Sequence, residues 1–139
     1  MGFEEAIDIL IYGQLSTDTA ITDIVKGVYD YVPQSDRGEI QADAFPFVSI
    51  GEPLYEMDDS FDENMYSGQI TIHVWSRHKS RLQCSQIKDL VYNRLHRSNA
   101  AMETGFNLVL LHCANSVTDL HPDGITRQGT MTFNILVEG

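Results

Sequence analysis

The sequence predicts an α+β fold: an antiparallel sheet of about four to five strands with helices packed on one face. Three observations predict it. Apolar residues recur at spacings of three and four near the N-terminus and again over residues 81–96, the period of a helix with one buried stripe. Apolar and polar residues alternate strictly in two other segments, the period of a half-buried strand. Helices and strands are grouped along the chain rather than alternating one for one, which disfavours a parallel sheet built of crossover units.

The first helix carries Phe3, Ala6, Ile7, Leu10 and Ile11 on one stripe and ends near Leu15. A second, shorter helix follows, with Thr17 or Asp18 as its cap, Ile21, Ile24 and Val25 on its apolar side and Gly27 as a left-handed stop. Phe45-Pro46-Phe47-Val48-Ser49-Ile50 reads as a short strand whose proline suits an edge or a first position. Ile70, Ile72 and Val74 alternate with Gln69, Thr71, His73 and Trp75, giving a strand with one greasy and one mixed face. In the third helix, about 81–96, Cys84, Ile87, Val91 and Leu95 form the stripe, and Ser80-Arg81-Leu82-Gln83 fits a capping box. Phe106 to Cys113 is nearly all apolar and is expected at the centre of the sheet. His121-Pro122-Asp123-Gly124 has turn chemistry and should join a strand ending near Leu120 to one starting near Arg127. In that last strand Met131, Phe133, Ile135 and Val137 alternate with polar residues, and Gly129 is a candidate bulge.

At 139 residues, with 42% hydrophobic and 21% charged residues, the chain is the size of one domain, read as spanning 1–139. Polar stretches near 34–43 and 56–64 read as loop excursions from it. No segment has the roughly 18 consecutive apolar residues of a membrane span, so no membrane role is expected. Glu4, Glu5 and Asp8 occupy positions where a signal peptide needs positive charge, so export by that route is not expected. Cys84 and Cys113 are two isolated thiols, best explained as reduced cysteines of a cytosolic environment.

Nine Lys and Arg against 20 Asp and Glu give a net charge of −11, the wrong sign for a protein that grips nucleic acid through an extended basic surface. The charge is also lopsided: residues 1–64 carry net −13 and residues 65–139 net +2. Glu56, Asp58, Asp59, Asp62 and Glu63 form the densest acidic run, and six of the nine basic residues fall between Arg77 and Arg97. Charge runs are usually solvated faces. The functional alternative is that opposite faces attract neighbouring copies of the chain.

Catalytic and metal chemistry find little support. His73 falls on the mixed sheet face with no nucleophile motif beside it. His78 and His96 flank the third helix, and His112 and Cys113 are adjacent in a strand and so point to opposite faces. Cys84 lies on an apolar stripe. The acidic run lacks the spacing of a calcium loop, and the ten glycines form no phosphate-binding loop. No catalytic residue, cofactor or metal site is therefore expected. Tyr66 and Trp75, large and amphipathic on strand positions, are candidate interface anchors as well as candidate core residues.

Four segments, taken in order, resemble the small tail-completion proteins of long-tailed phages, a family that includes tail terminators of phage-like gene transfer agents. They are Val28-Tyr29-Asp30-Tyr31-Val32-Pro33-Gln34, Phe45-Pro46-Phe47-Val48-Ser49-Ile50-Gly51-Glu52, Ile70-Thr71-Ile72-His73-Val74-Trp75-Ser76 and Pro122-Asp123-Gly124-Ile125-Thr126-Arg127-Gln128-Gly129. The resemblance implies a structural, non-enzymatic virion protein with no catalytic residues. It implies a homo-oligomeric ring, typically of six, capping the head-proximal end of the tail tube. The partners would be the major tail-tube protein and a head-tail connector or stopper protein, with DNA only passing through the lumen after assembly in the host cytoplasm. Within that picture Glu56, Asp58, Asp59, Asp62, Glu63, Tyr66 and Trp75 are the candidate assembly or lumen surface. Two other readings fit the composition: another neck protein, in head completion or connector docking, and a small cytosolic α+β enzyme or ligand-binding domain. A deep pocket lined by histidines and carboxylates would mark the last.

Overall fold

The computed structural model describes residues 2–32, 40–56, 65–103 and 105–139. Helix α1 (Phe3–Ser16) buries Ala6, Ile7, Leu10, Ile11 and Leu15, the expected stripe. The Thr17 hydroxyl donates back to the Gly13 carbonyl at 2.6 Å. The capping role goes to Asp18, whose carboxylate accepts the Ala20 N–H at 2.9 Å and starts α2 (Thr19–Thr22). That helix is a single turn. Ile21 and Val25 are buried, but Ile24 is turned outward and is not part of the apolar side expected of it. Gly27 does not adopt the left-handed conformation of a helix stop; instead the Tyr29 ring fills the space its side chain would need.

The sheet contains β1 (Val28–Tyr29), β2 (Phe47–Ile50), β3 (Leu54–Glu56), β4 (Met65–Ser76), β5 (Asn107–Leu120) and β6 (Arg127–Glu138). Their order is β1-β2-β4-β6-β5, with β3 paired to β4 on the same side as β2. The fold is α+β, as predicted, but the sheet has six strands and is mixed. The β1–β2 pair is parallel and every other pair antiparallel. Residues 30–46 are long enough to carry the chain across for a parallel pair. A short 3-10 turn, Ala42–Ala44, lies within that crossing and overlaps the end of the predicted 34–43 excursion. Glu56 closes β3 rather than opening a loop. Residues 33–39 and 57–64, which include Asp58, Asp59, Asp62 and Glu63, lie outside the described residues.

Helix α3 (Leu82–Leu95) lies against β4, β6 and β5 and buries Cys84, Ile87, Val91 and Leu95. The predicted capping box does not form. The Ser80 hydroxyl accepts from Leu82 N–H at 2.9 Å, one position early, while the Gln83 side chain accepts the Ser76 hydroxyl at 2.6 Å. Gln83 thereby ties the helix start to the end of β4 rather than to its own N-terminus. The core lies between the helices and one sheet face, where Ile70, Ile72, Val74, Met131, Phe133 and Ile135 meet the stripes of α1 and α3. Gly129 pairs in regular register with Val74 and Thr118 and is no bulge. A side chain there would meet the Cys84 Sγ at 3.0 Å and the Lys88 Cδ at 2.7 Å, so its bareness lets α3 approach β6. The register shifts fall instead in β5, between Leu108 and Leu110 and between Cys113 and Asn115.

One placement is overturned. The apolar run that starts at Phe106 was expected at the sheet centre, yet β5 is the edge strand. Its apolar residues divide between two environments: Leu111 is 1% exposed beneath the helices, while Val109 and Leu110 are 50% and 42% exposed. The run reads as central because sequence composition does not distinguish cover by the same chain from exposure.

Candidate assembly surfaces

The sheet face away from the helices is the mixed face. At its β2 end, aromatic residues form a second, smaller cluster. Phe47 is fully buried between Trp75, stacked at 5.8 Å, and Phe45 at 5.0 Å, with Tyr29 at 5.9 Å. The Arg77 guanidinium caps it, 4.3 Å above the Phe45 ring. Trp75 is half-buried here, and its indole N–H donates to the buried Ser49 hydroxyl at 3.0 Å. Tyr66, the other predicted anchor, lies on the opposite face and stacks on Phe3 at 4.2 Å. Both rings are therefore engaged within the chain. Glu56 is exposed at the end of β3, so the structure does not bring Glu56, Tyr66 and Trp75 together as one surface.

Four of the five histidines hold hydrogen bonds within the chain, and His112 Nδ1 is buried without a partner among the described residues. His121 Nε2 lies 2.9 Å from Gln128 Oε1, and Gln128 Nε2 lies 3.1 Å from His73 Nδ1. A consistent assignment has His121 donating to the glutamine and the glutamine donating to His73. Burial holds the His73 pKa below its usual value of 6.5. His78 Nδ1 accepts from Ser80 N–H at 3.1 Å, and His96 Nδ1 accepts from Cys113 N–H at 3.0 Å. His112 lines the mixed face and Cys113 the helix side, as their adjacency requires. Both cysteines are free thiols. No group of three or more His, Cys, Asp or Glu among the described residues could hold a metal ion.

Two hollows exist. One, of about 310 Å³, lies on the mixed face between Leu54, Gln69, Leu110, His112, Asn134 and Leu136. The other, about 390 Å³, runs between α3 and β5 past Lys88, Tyr92 and Cys113. The first brings one histidine, His112, and one carboxylate, Glu56, to its lining, and the second one carboxylate, Asp89, and no histidine.

Charge separates into two poles. Asp8, Asp30 and Glu52 meet in a small hollow of about 180 Å³ between α1 and the β1–β2 side. The Asp8 pKa is raised above its usual value first by burial and then by Glu4, Asp30 and Glu52. The same environment, burial first and then Asp8 and Glu4, pushes the Tyr55 hydroxyl up. At the other pole Arg77 donates to Thr126 at 3.0 Å, Arg127 reaches the Lys79 carbonyl at 3.4 Å and Lys88 donates to Thr118 at 2.8 Å. Among the described residues the one ion pair is Arg94 with Asp18, at 3.9 Å. Among the described residues no ion pair joins Asp8, Asp30 or Glu52 to a basic side chain.

Residues 10–138 match the family model of tail completion protein gp17. This chain belongs to the tail completion protein gp17 family. Members of that family are structural virion proteins rather than enzymes, so this tail completion protein has a structural role in a phage-type tail. No curated protein matches the sequence. The fold is similar to a chain in the virion of a native gene transfer agent particle, 22% identical, with a TM-score of 0.81 over 98% of this chain and 97% of that one. It is also similar to the gp17 protein of bacteriophage SPP1, 19% identical, with a TM-score of 0.57 over 94% of this chain and 88% of that one. The feature that sequence reasoning missed in this tail completion protein is the exposed edge of β5. The apolar run from Phe106 carries no signal that could have found it, since an edge and a centre share that composition.

Proposed function

We propose that the chain is a tail terminator. In this reading residues 1–139 act as one domain, and copies of it, six in number, close a ring on the head-proximal end of the tail tube. The ring stops tube growth and presents a surface to the head-tail connector or stopper protein; it assembles in the host cytoplasm, and DNA only passes through its lumen. The observation that carries the reading is family membership over residues 10–138. The net charge of −11 supports it, since a conduit must let DNA slide rather than hold it. So does the separation of acidic and basic poles, because a head-to-tail ring sets unlike surfaces against each other. Individual contacts need not be strong, since closure makes them act together.

The test is removal of the gene from its phage or particle. Heads and tube subunits should remain intact while tubes of uncontrolled length accumulate and fail to join heads, as seen by electron microscopy. Purified protein added to such extracts should cap further growth. Tails of normal length with a defect confined to the capsid or connector would instead assign the chain to another neck role, and fully normal particles would defeat both.

A further inference from the structure

Strand β5 is closed over one half and open over the other. At Leu111–Cys113 the chain leaving α3 covers the edge: Arg97 N–H donates to the Leu111 carbonyl at 2.7 Å, and Cys113 N–H donates to His96 Nδ1 at 3.0 Å. Beyond the second register shift the cover stops. Of Ala114–Leu120 all are exposed except Thr118, which is half-buried and bonded to Lys88. Among the described residues no backbone hydrogen bond runs from this segment to anything but β6.

Such an edge is a template for another strand, and soluble proteins usually guard it with lysine, proline, a bulge or short length. Here the one such device is the register shift at Ala114; beyond it the segment has no proline and no lysine, its only charged residue is Asp119, and Val117 and Leu120 are 50% and 52% exposed. Unguarded length and exposed apolar side chains point to a partner strand. Its surroundings say which one. Arg127 pairs with Leu120 and Lys88 reaches Thr118, while Arg77 shares Thr126 with Asp123, so the positive charge beside the open segment is carried by Lys88 and Arg127. The far edge of the same sheet is β1, preceded by exposed Lys26, followed by exposed Asp30 and lying beside exposed Glu52 and Asp8.

Direction agrees as well. Strand β5 is antiparallel to β6, β6 to β4 and β4 to β2, while β1 is parallel to β2. Strand β5 therefore runs opposite to β1. If the sheet continues from copy to copy with its helices on one side, β5 meets the next β1 as an antiparallel pair, the more stable kind. The levels match too: through β6, β4 and β2, Val28 and Tyr29 stand in register with Thr118 and Val117 or their immediate neighbours.

We infer that the open segment Ala114–Leu120 of β5 pairs antiparallel with the β1 edge of a second copy of this chain, setting Asp30 of that copy at the level of Ser116, beside Lys88. The inference rests on the ring reading above and specifies its joint. A pairing of two β5 edges would instead bring two basic flanks together, at an electrostatic cost.

A charge exchange tests it. Variant one carries Ser116→Glu and Val117→Glu, and variant two carries Asp30→Lys and Glu52→Lys, all at exposed positions. Each is checked for an unchanged circular dichroism spectrum and thermal transition. By native mass spectrometry over rising concentration, the unaltered chain should form closed multimers. Each variant alone should lose all species above the monomer, and a 1:1 mixture should regain species containing both. In the unaltered chain, association should slow amide hydrogen exchange over 114–120 and 28–31. Variant two assembling alone would indicate β5–β5 pairing and overturn the inference. So would variant one assembling normally, a mixture that stays monomeric, an unaltered chain that never associates, or unslowed exchange at these segments. None of these results touches the ring reading, which stands or falls on tail length in the deletion.

Discussion

At the scale of single residues, His73 is the group whose protonation the fold resists. It is half-buried on the mixed face, and its Nδ1 serves as acceptor to Gln128, 3.1 Å away. Burial lowers its pKa, so the unfolded chain takes up a proton at a higher pH than the folded one. Stability is therefore fully present above the usual value of 6.5 and declines as pH falls toward the lower folded value. Protonation also removes the acceptor that Gln128 uses and turns the His121–Gln128–His73 chain against itself. The melting temperature should fall as pH drops from 7 toward 5, and His73→Gln, which has no proton to gain, should flatten that slope. A slope unchanged by the substitution would assign the acid sensitivity to other groups.

At the scale of elements, the junction of β3 and β4 depends on one bare position. Gly68 pairs with Tyr55, and a Cβ at Gly68 would stand 2.5 Å from Tyr55 Cδ1 and 2.9 Å from the Leu54 carbonyl oxygen. The second contact is with backbone, so β3 itself must move. Gly68→Ala should cost about 1–3 kcal/mol from overpacking, more than the ~0.4–1 kcal/mol gained by stiffening the unfolded chain. Gly13→Ala in α1, with nothing within 4 Å of the added atom, should instead stabilise by about 0.5–1 kcal/mol. Urea denaturation of the two variants, with hydrogen exchange at Tyr55 and Glu56 as the local readout, separates these cases. The same strand shows what was legible from sequence. Helices α1 and α3 and the inner faces of β4 and β6 could be read because each buries a stripe long enough to repeat its period. Strand β3 could not, since it has three residues, follows Pro53 and buries no face completely. Strand β2 carries the aromatic cluster on one side and Val48 in the core on the other, so its proline-led run gave a strand without a face. The position of β5 was misjudged because an apolar edge and an apolar centre have one composition.

At the scale of the whole molecule, charge is the property that the sequence displays most openly and the fold organises. The excess of acid in residues 1–64 becomes a pole where Asp8, Asp30 and Glu52 crowd together, and the bases of 77–97 become the flank of α3 and the β5–β6 hairpin. Sequence reading could identify the two charge blocks but not which edge each would adjoin, because that depends on strand order. Asp58, Asp59, Asp62 and Glu63 belong to the acidic half and add to its self-repulsion. Exchanging them for Asn and Gln moves the net charge from −11 to −7 while removing no apolar side chain. Exchanges of charge for polarity that remove no core packing usually alter stability by less than about 0.5 kcal/mol, and relief of repulsion acts in the favourable direction. The melting temperature should therefore hold or rise slightly, and the rise should shrink in high salt, where screening has already weakened the repulsion. Assembly is the sensitive readout: weaker association at low salt, with the fold intact, would place the run among the charges that draw copies together. A cooperative loss of the fold on neutralisation would show that the four carboxylates hold the structure, and their assignment to assembly would then fail.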